Sequence, residues 1–183
     1  MAFSPTHAMV AVAMGSAIAP RRWLGPGLIA GAACAVMPDV DLLLPLVASG
    51  GREWHRTVTH SVFFAAAVGL AVSALASRRS EQPAGIRVPL YLALSTASHG
   101  MLDSMTTYPV GVAFYSPLSW ERYIAPWQPI SGAAVELGLF VGLVVVSLAF
   151  LRIRSIRRFT SESPHSTMLL DDDDGKPPRQ VKG

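Results

Sequence analysis

The chain has 183 residues, of which 51% are hydrophobic and only 15% are charged, and its mean hydropathy is +0.39. Because soluble domains carry about 25% charged residues, this composition excludes a disordered chain and argues against a water-soluble one. The single cysteine, Cys34, excludes a disulfide framework and any CxxC-type zinc or redox motif. The net charge of +3 would suit nucleic acid, but the basic residues lie in short clusters between apolar stretches, as in membrane proteins, so we expect no nucleic-acid partner.

Five apolar stretches predict an all-α, polytopic transmembrane helical bundle with about five spans. In chain order they cover residues 6–19, 24–37, 61–76, 88–105 and 131–151. A spanning helix needs about 20 apolar residues, with about 17 as the lower end. The fifth stretch meets this length easily and the fourth barely, whereas the first two are short. The first stretch could alternatively be a cleaved signal peptide, but no Lys or Arg precedes it.

Clusters of arginine predict the orientation of these helices in the membrane. They follow the first, third and fifth stretches, at Arg21, Arg22, Arg78, Arg79, Arg87, Arg152, Arg154, Arg157 and Arg158. The positive-inside rule assigns these positions to the cytoplasm. We therefore expect a multi-pass protein of the bacterial inner membrane with its N-terminus outside and its C-terminus in the cytoplasm. The loops at residues 38–60 and 106–130 would also lie outside.

The chain divides into a membrane part and a polar tail. Residues 1–159 are expected to form the membrane-embedded helical domain with the functional site. Residues 160–183 contain four consecutive aspartates and two adjacent prolines. Such a segment cannot bury enough apolar surface to fold, so we expect a disordered cytoplasmic tail.

Ionisable side chains beside apolar spans are costly and indicate a function. Here they are His7, Asp39, Asp41, His55, Arg56, His60, His99, Asp103 and Glu136. On the predicted topology all of them fall at the outer side of the membrane. His99 and Asp103 are four residues apart and share one helix face. Imidazole and carboxylate without thiolate suit Zn, Mn or Fe, so the pattern predicts a site for one or more divalent ions, with zinc as the expected metal.

The expected metal ligands are His7, Asp39, Asp41, His55, His60, His99 and Asp103. A single catalytic zinc needs about three protein ligands, so either some of these residues orient the true ligands or two ions share the site. As catalytic residues we expect Asp41, a ligand or general base, and Arg56, which would bind an anionic group of the substrate. The alternative for Arg56 is an ion pair with a neighbouring aspartate. Glu136 could equally serve helix packing, and His165 in the tail is not expected to take part.

Residues 106–130 form an aromatic- and proline-rich loop at the same outer side. Trp and Tyr favour the membrane–water interface. This favours an interfacial re-entrant segment, and the alternative is a lid or substrate groove over the site.

The motifs TH, PDVD, HRTVTHS, SHGMLD and YSPLSWERY, in this order over residues 6–130, resemble the YdjM-like family of bacterial inner-membrane proteins. That family is described as membrane-bound metal-dependent hydrolases. The resemblance implies that the polar positions of the family's motifs correspond to His7, Asp39, Asp41, His55, Arg56, His60, His99 and Asp103. The family is also described as similar to zinc-dependent phospholipase C and related nucleases, which implies a remotely similar helical fold.

Residues and resemblance together predict a membrane-bound metal-dependent hydrolase. Its substrate would be a phosphoester of a lipid or envelope component, because the site faces the headgroup layer of the bilayer. The alternatives are a small proton- or metal-coupled transporter, a non-catalytic metal-binding membrane protein and a haem-binding electron carrier. Serine hydrolase, zincin protease and P-loop motifs do not occur in the sequence. The sequence leaves the oligomeric state open.

Overall fold

The computed structural model describes residues 4–46, 54–78 and 85–162, and every regular element in these ranges is helical. The five α-helices are α1 (Ser4–Ile18), α2 (Leu24–Val36), α3 (Val62–Arg78), α4 (Arg87–Ser104) and α5 (Ala133–Glu162). Short 3₁₀ helices occupy Arg21–Trp23, Met37–Leu46 and Val58–His60. The all-α class is thus confirmed, and the five apolar stretches coincide with the five α-helices.

Helices α1 to α4 pack together, with α4 in the centre in contact with each of the other three. Its apolar side chains Tyr91 and Leu92 are buried against Cys34 of α2 and Val68 of α3. It also buries hydroxyl groups, and these are satisfied locally. For example, the Ser95 hydroxyl donates to the carbonyl of Tyr91 one turn earlier, at 2.8 Å. Helix α4 can therefore be polar and central at once.

Glycines allow two close approaches in this bundle. A Cβ at Gly69 of α3 would lie 2.7 Å from the backbone of α4. A Cβ at Gly31 of α2 would lie 2.0 Å from the Tyr91 hydroxyl oxygen. That hydroxyl donates to the carbonyl of Ala11 in α1 at 3.0 Å. Tyr91 thus ties α4 to α1 in a space that α2 leaves open only because residue 31 has no side chain.

Two segments in the described ranges are long and apolar enough to cross a bilayer, Arg21–Leu43 and Ala133–Arg157. Two further helical segments, Pro5–Ile18 and Val62–Arg78, are apolar but shorter. Only 6% of the Ala133–Arg157 segment is buried within the protein, so its apolar side chains face outward, as lipid-facing side chains do. The five-span arrangement and the likeness to phospholipase C remain predictions.

The predicted tail lies mostly beyond the described part of the chain. Residues Met1–Leu151 form one compact unit, and Arg152–Gly183 are a second. Helix α5 ends at Glu162, three residues past the boundary that the composition predicts. Residues 163–183, where the acidic run and His165 fall, lie outside the described residues.

The loop that follows α4 packs onto the segment that precedes α3. Residues 105–132 contain two isolated β-bridges, Thr106 with Ile130 and Val112 with Tyr123, and otherwise run irregularly. The amide of Ala113 donates to the carbonyl of Arg56 at 2.9 Å. This aromatic loop therefore lies beside the segment that carries His55 and His60.

Candidate metal centre

Six of the predicted site residues meet at one end of the bundle in two triads. The first triad is His7, His99 and Asp103, and the second triad is Asp39, His55 and His60. Within each triad, one potential ligand atom of every residue lies within 4.8 Å of the others. His7, His60, His99 and Asp103 are buried, whereas Asp39 and His55 are half-buried.

Four chain segments bring these side chains to the same end. His7 lies in the first turn of α1, and Asp39 in the 3₁₀ helix that follows α2. His55 and His60 precede α3, and His99 and Asp103 lie in the last two turns of α4. The starts of α1 and α3 thus meet the ends of α2 and α4. We call this the site end of the bundle.

Hydrogen bonds on Nδ1 fix the rings of two imidazoles, and His99 also has its Nε2 within 3.2 Å of Asp39 Oδ1. His99 Nδ1 donates to the carbonyl oxygen of Ala35 at 2.7 Å, and His55 Nδ1 donates to Asp41 Oδ1 at 2.8 Å. Since a carbonyl and a carboxylate can only accept, the proton of each ring sits on Nδ1. Metal-binding histidines are held in this way by a partner on their other nitrogen. The Nε2 atom of His55 is buried and has no hydrogen-bond partner.

His60 is oriented through a short chain of hydrogen bonds. Its Nδ1 lies 3.0 Å from the hydroxyl oxygen of Thr59 and donates to it, and that hydroxyl donates to Asp41 Oδ2 at 2.6 Å. Burial lowers the pKa of His60, and the interaction with Asp41 opposes this only in part. The ring is therefore neutral at pH 7, and its buried Nε2 has no hydrogen-bond partner. A metal ligand must have this protonation state.

Asp41 belongs to neither triad. Its Oδ1 accepts from His55 and its Oδ2 from Thr59, with His60 Nδ1 also 3.5 Å from Oδ2. In this geometry Asp41 orients imidazoles. The sequence analysis expected Asp41 to be a ligand or general base, and gave the orientation of true ligands as the alternative for some of the candidate residues. Sequence reasoning missed Thr59, although it lies inside the HRTVTHS motif.

His7 is the least satisfied polar side chain of the site. Both of its ring nitrogens are buried without a hydrogen-bond partner, and Nε2 faces Asp103 Oδ1 at 3.7 Å. Buried polar atoms without a partner are uncommon in proteins. Its ring stacks on that of His99 with centroids 3.8 Å apart, which leaves no space between these two rings for a haem.

Arg56 is fully buried against Asp103. Its Nε lies 3.0 Å from Asp103 Oδ2, and its guanidinium carbon lies 4.7 Å from the centre of the Tyr108 ring. Arg56 has a backbone φ of 63°, a left-handed conformation that non-glycine residues adopt at some cost and often at functional sites. The structure thus contains the ion pair that was the alternative to substrate binding.

A shallow cavity of about 230 Å³ opens beside the second triad. Trp54, Thr57, Trp120 and Arg122 line it. The two indole rings meet edge to face with centroids 5.8 Å apart, and both are about half exposed. Arg122 donates to the carbonyl of His55 at 3.3 Å. The cavity therefore offers aromatic and cationic groups next to a potential metal ligand. Trp54 was not singled out from the sequence.

Glu136 belongs to neither triad. It is half-buried in the first turn of α5 and lines an apolar cavity of about 370 Å³ together with Pro5, Thr6 and Phe140. This cavity is separate from the one beside the second triad.

Comparison with known proteins identifies a family and a relative of this chain. The sequence pattern of the YdjM inner membrane protein family matches residues 1–165. The inner membrane protein YbcI of Escherichia coli (strain K12) is 39% identical over 141 residues, which cover 74% of this chain and 79% of YbcI. No solved structure matches the chain.

Proposed function

The chain belongs to the YdjM family of inner membrane proteins, and we propose that it is a membrane-bound metal-dependent hydrolase. His7, Asp39, His55, His60, His99 and Asp103 would hold the metal. One observation carries this proposal. Buried nitrogens of His7, His55 and His60 without hydrogen-bond partners converge on carboxylates, and the opposite nitrogens of His55 and His60 are anchored by Asp41 and Thr59.

The donor set and its spacing suit a divalent transition metal. Ligands that lie 2.0–2.2 Å from a tetrahedral zinc are about 3.3 Å from one another. The separations between histidine Nε2 atoms and the carboxylate oxygens of Asp39 and Asp103 run from 3.2 Å, between His99 and Asp39, to 4.0 Å, between His99 and Asp103. Small shifts would therefore close the site on an ion. Such an ion supplies Lewis-acid activation of water and of a phosphoryl oxygen.

Charge and shape around the triads favour an anionic, amphiphilic substrate. Arg56 is paired with Asp103, and the guanidinium that lines the cavity beside the second triad is that of Arg122. The Trp54 and Trp120 rings offer an apolar wall next to Arg122. Guanidinium groups pair well with phosphate oxygens. We therefore propose that the substrate is a phosphoester of a lipid or envelope component, with its phosphate at the triads.

A lipid bilayer is the environment of this protein, as its family membership indicates. We further propose that the site end faces outward. The arginines at residues 21, 22, 78 and 87 flank the opposite ends of α1 to α4, and positive residues favour the cytoplasm. The triads would then lie at the outer headgroup layer.

The transport alternative requires ionisable groups through the depth of the membrane. Between their two ends, α1 to α4 contain apolar and hydroxyl side chains but no histidine, carboxylate, lysine or arginine. This distribution favours chemistry at one surface over a relay across the bilayer.

To test the proposal, the full chain is purified in mild detergent, stripped with a chelator and reloaded with Zn²⁺ or Mn²⁺. Bound metal is measured by elemental mass spectrometry, and phosphate release is measured with monoester, diester and phospholipid substrates. We expect metal-dependent hydrolysis by the wild type. His60→Ala and Asp103→Ala should each weaken metal binding at least about tenfold, since even outer partners of a metal contribute 10–100-fold.

The matched control is His165→Ala, which removes the one histidine outside both triads and should leave metal content and hydrolysis unchanged. Full metal content in both His60→Ala and Asp103→Ala would count strongly against the site. Metal binding without hydrolysis of any substrate would overturn the hydrolase assignment and leave a non-catalytic metal-binding protein.

A further inference from the structure

We propose that a cavity at the end of the bundle opposite the site end binds one anionic phospholipid. The phosphate of the lipid pairs with Arg87, and part of an acyl chain occupies the cavity. This lipid site is separate from the candidate metal centre, and it does not depend on the proposed hydrolase activity.

The cavity has a volume of about 340 Å³ and lies where α1 ends and α4 begins. Ala17 and Ile18 line it from α1. Arg87, Leu90 and Tyr91 line it from α4. Ligand-binding clefts in proteins have volumes of about 300–1,000 Å³. The cavity is therefore large enough to hold part of an amphiphilic molecule.

Apolar side chains at the cavity are open to the surroundings of the protein. The exposed fraction is 49% for Ile18 and 55% for Leu90, and the Ala17 side chain is also exposed. Because the chain belongs to a family of inner membrane proteins, the apolar surroundings available to these side chains are the acyl chains of the bilayer. An acyl chain can therefore enter the cavity from the membrane.

Arg87 supplies a positive charge to the same cavity. Its side chain is exposed, and within the residues that the structure describes it forms no ion pair. Arg87 is also the first residue of α4, and the first turn of this helix contains no acidic residue. The helix dipole opposes a cation at a helix start, so the stability of α4 does not explain this position. A bound phosphate would offset both positive charges.

Carboxylates do not compete for this charge in the described part of the bundle. The described carboxylates of α1 to α4, and of the 3₁₀ helices between them, all lie at the site end. Exposed arginines at residues 21, 22 and 78 flank the opposite end instead. Basic pockets between membrane helices bind anionic lipid headgroups, and guanidinium groups pair well with phosphate oxygens. The charge therefore favours an anionic lipid over a zwitterionic one.

A second apolar cavity against α1 has the opposite charge. The cavity of about 370 Å³ at the start of α1 is lined by Glu136 and contains no arginine in its lining. A carboxylate repels a phosphate, so this cavity does not suit an anionic lipid. Volume alone would not separate the two cavities, whereas charge assigns the lipid to the one beside Arg87.

The experiment compares two lipids on the full chain in mild detergent by native mass spectrometry. Chelator-treated protein is mixed with phosphatidylglycerol or with phosphatidylcholine of identical acyl chains. We expect one phosphatidylglycerol to stay bound per wild-type chain. Phosphatidylcholine should bind about fivefold more weakly, because an arginine near an anionic headgroup contributes about that factor. This comparison needs no variant, so the proposal stays testable even if a substitution prevents folding.

Variants then separate the charge from the cavity. Arg87→Gln removes the charge and should weaken phosphatidylglycerol binding about fivefold. Ala17→Phe fills the cavity without changing any charge and should weaken binding by about as much. Arg78→Gln is the matched control, because it removes an exposed arginine from the same end that does not line the cavity, and it should bind the lipid as the wild type does.

Three outcomes would each overturn the lipid site. They are equal binding of the two lipids by the wild type, an equal loss in Arg78→Gln and Arg87→Gln, and unchanged binding in Ala17→Phe. The readout is lipid bound to metal-free protein, so its failure would leave the metal site and the proposed hydrolase activity untouched.

Discussion

The two ends of the bundle formed by α1 to α4 are built on opposite principles. At the site end, the buried side chains include imidazoles, carboxylates and Arg56, and several of their polar atoms lack hydrogen-bond partners. Toward the other end, which we call the basic end, Tyr91 is buried between Gly15 and Gly31. The Tyr91 hydroxyl donates to the carbonyl of Ala11. The arginines at residues 21, 22, 78 and 87 flank this end of the bundle.

This difference separates function from folding. Buried polar atoms without partners cost stability, and the metal that we propose at this end would compensate that cost. Close glycine packing with a satisfied hydroxyl contributes stability and needs no ligand. We therefore expect substitutions at the site end to change metal binding, and substitutions that crowd Tyr91 inside the bundle to change how stably the protein folds.

The largest expected contrast is in the accessibility of the two ends to a reagent outside the cell, because we propose that they face opposite sides of the membrane. In a Cys34→Ser background, Trp54→Cys and Arg87→Cys place a thiol at exposed positions of the site end and the basic end. An impermeant maleimide added to intact spheroplasts should label Trp54→Cys fully and Arg87→Cys only after permeabilisation. Label at Arg87→Cys alone in intact cells would reverse the proposed orientation.

The next largest effect is a loss of folding stability when an ion pair at the site end is broken in metal-free protein. Asp103→Asn removes the partner of the buried Arg56 charge. Loss of one member of a buried ion pair costs about 3–5 kcal/mol. The free energy of unfolding of chelator-treated protein, measured by denaturation in detergent, should fall by about that amount.

A second substitution tests the cause of this loss. Arg56→Met in the Asp103→Asn background removes the uncompensated charge and should recover part of the lost stability. Glu121→Gln is the control, since Glu121 is an exposed carboxylate, and its effect should stay below about 0.5 kcal/mol. Equal stability of Asp103→Asn and the wild type would show that the ion pair contributes nothing.

The sequence predicts the helices well because apolar length is a local property. Each apolar stretch coincides with an α-helix, and only the C-terminal end of α5 runs clearly further than predicted. The number of spans is harder to predict. Helix α4 is polar because it lies in the centre of the bundle, where its Ser95 hydroxyl bonds to its own backbone. Hydropathy alone cannot distinguish a polar helix in the centre of a membrane bundle from a helix outside the membrane.

The residues that meet at the site could be predicted from the sequence, but the partner that each of them contacts could not. Ionisable types beside apolar stretches gave the six residues that the structure brings together in the triads, because such residues are costly without a function. That Asp41 faces His55 and Thr59, whereas Asp103 faces His7 and His60, depends on long-range packing. The carbonyl of Ala35 could not be foreseen, since every residue has one.

The smallest expected effect tests the packing near the basic end. Gly31→Ala puts a methyl group 2.0 Å from the Tyr91 hydroxyl oxygen and 2.5 Å from its ring. Overpacking of this kind costs about 1–3 kcal/mol. The unfolding free energy should fall by that amount, while the metal content per folded chain stays at the wild-type level. Such a result would confirm that this region stabilises the bundle without shaping the site.

Gly25→Ala is the matched control in the same helix, because no atom lies within 4 Å of its added Cβ. Replacing glycine by alanine in a helix gains up to about 1 kcal/mol where space allows, so Gly25→Ala should be neutral or stabilising. If Gly31→Ala instead lowered the metal content of the folded protein, the two ends would be coupled through α2, whose C-terminal part carries Ala35 beside His99. The separation of folding from function between the ends would then be wrong.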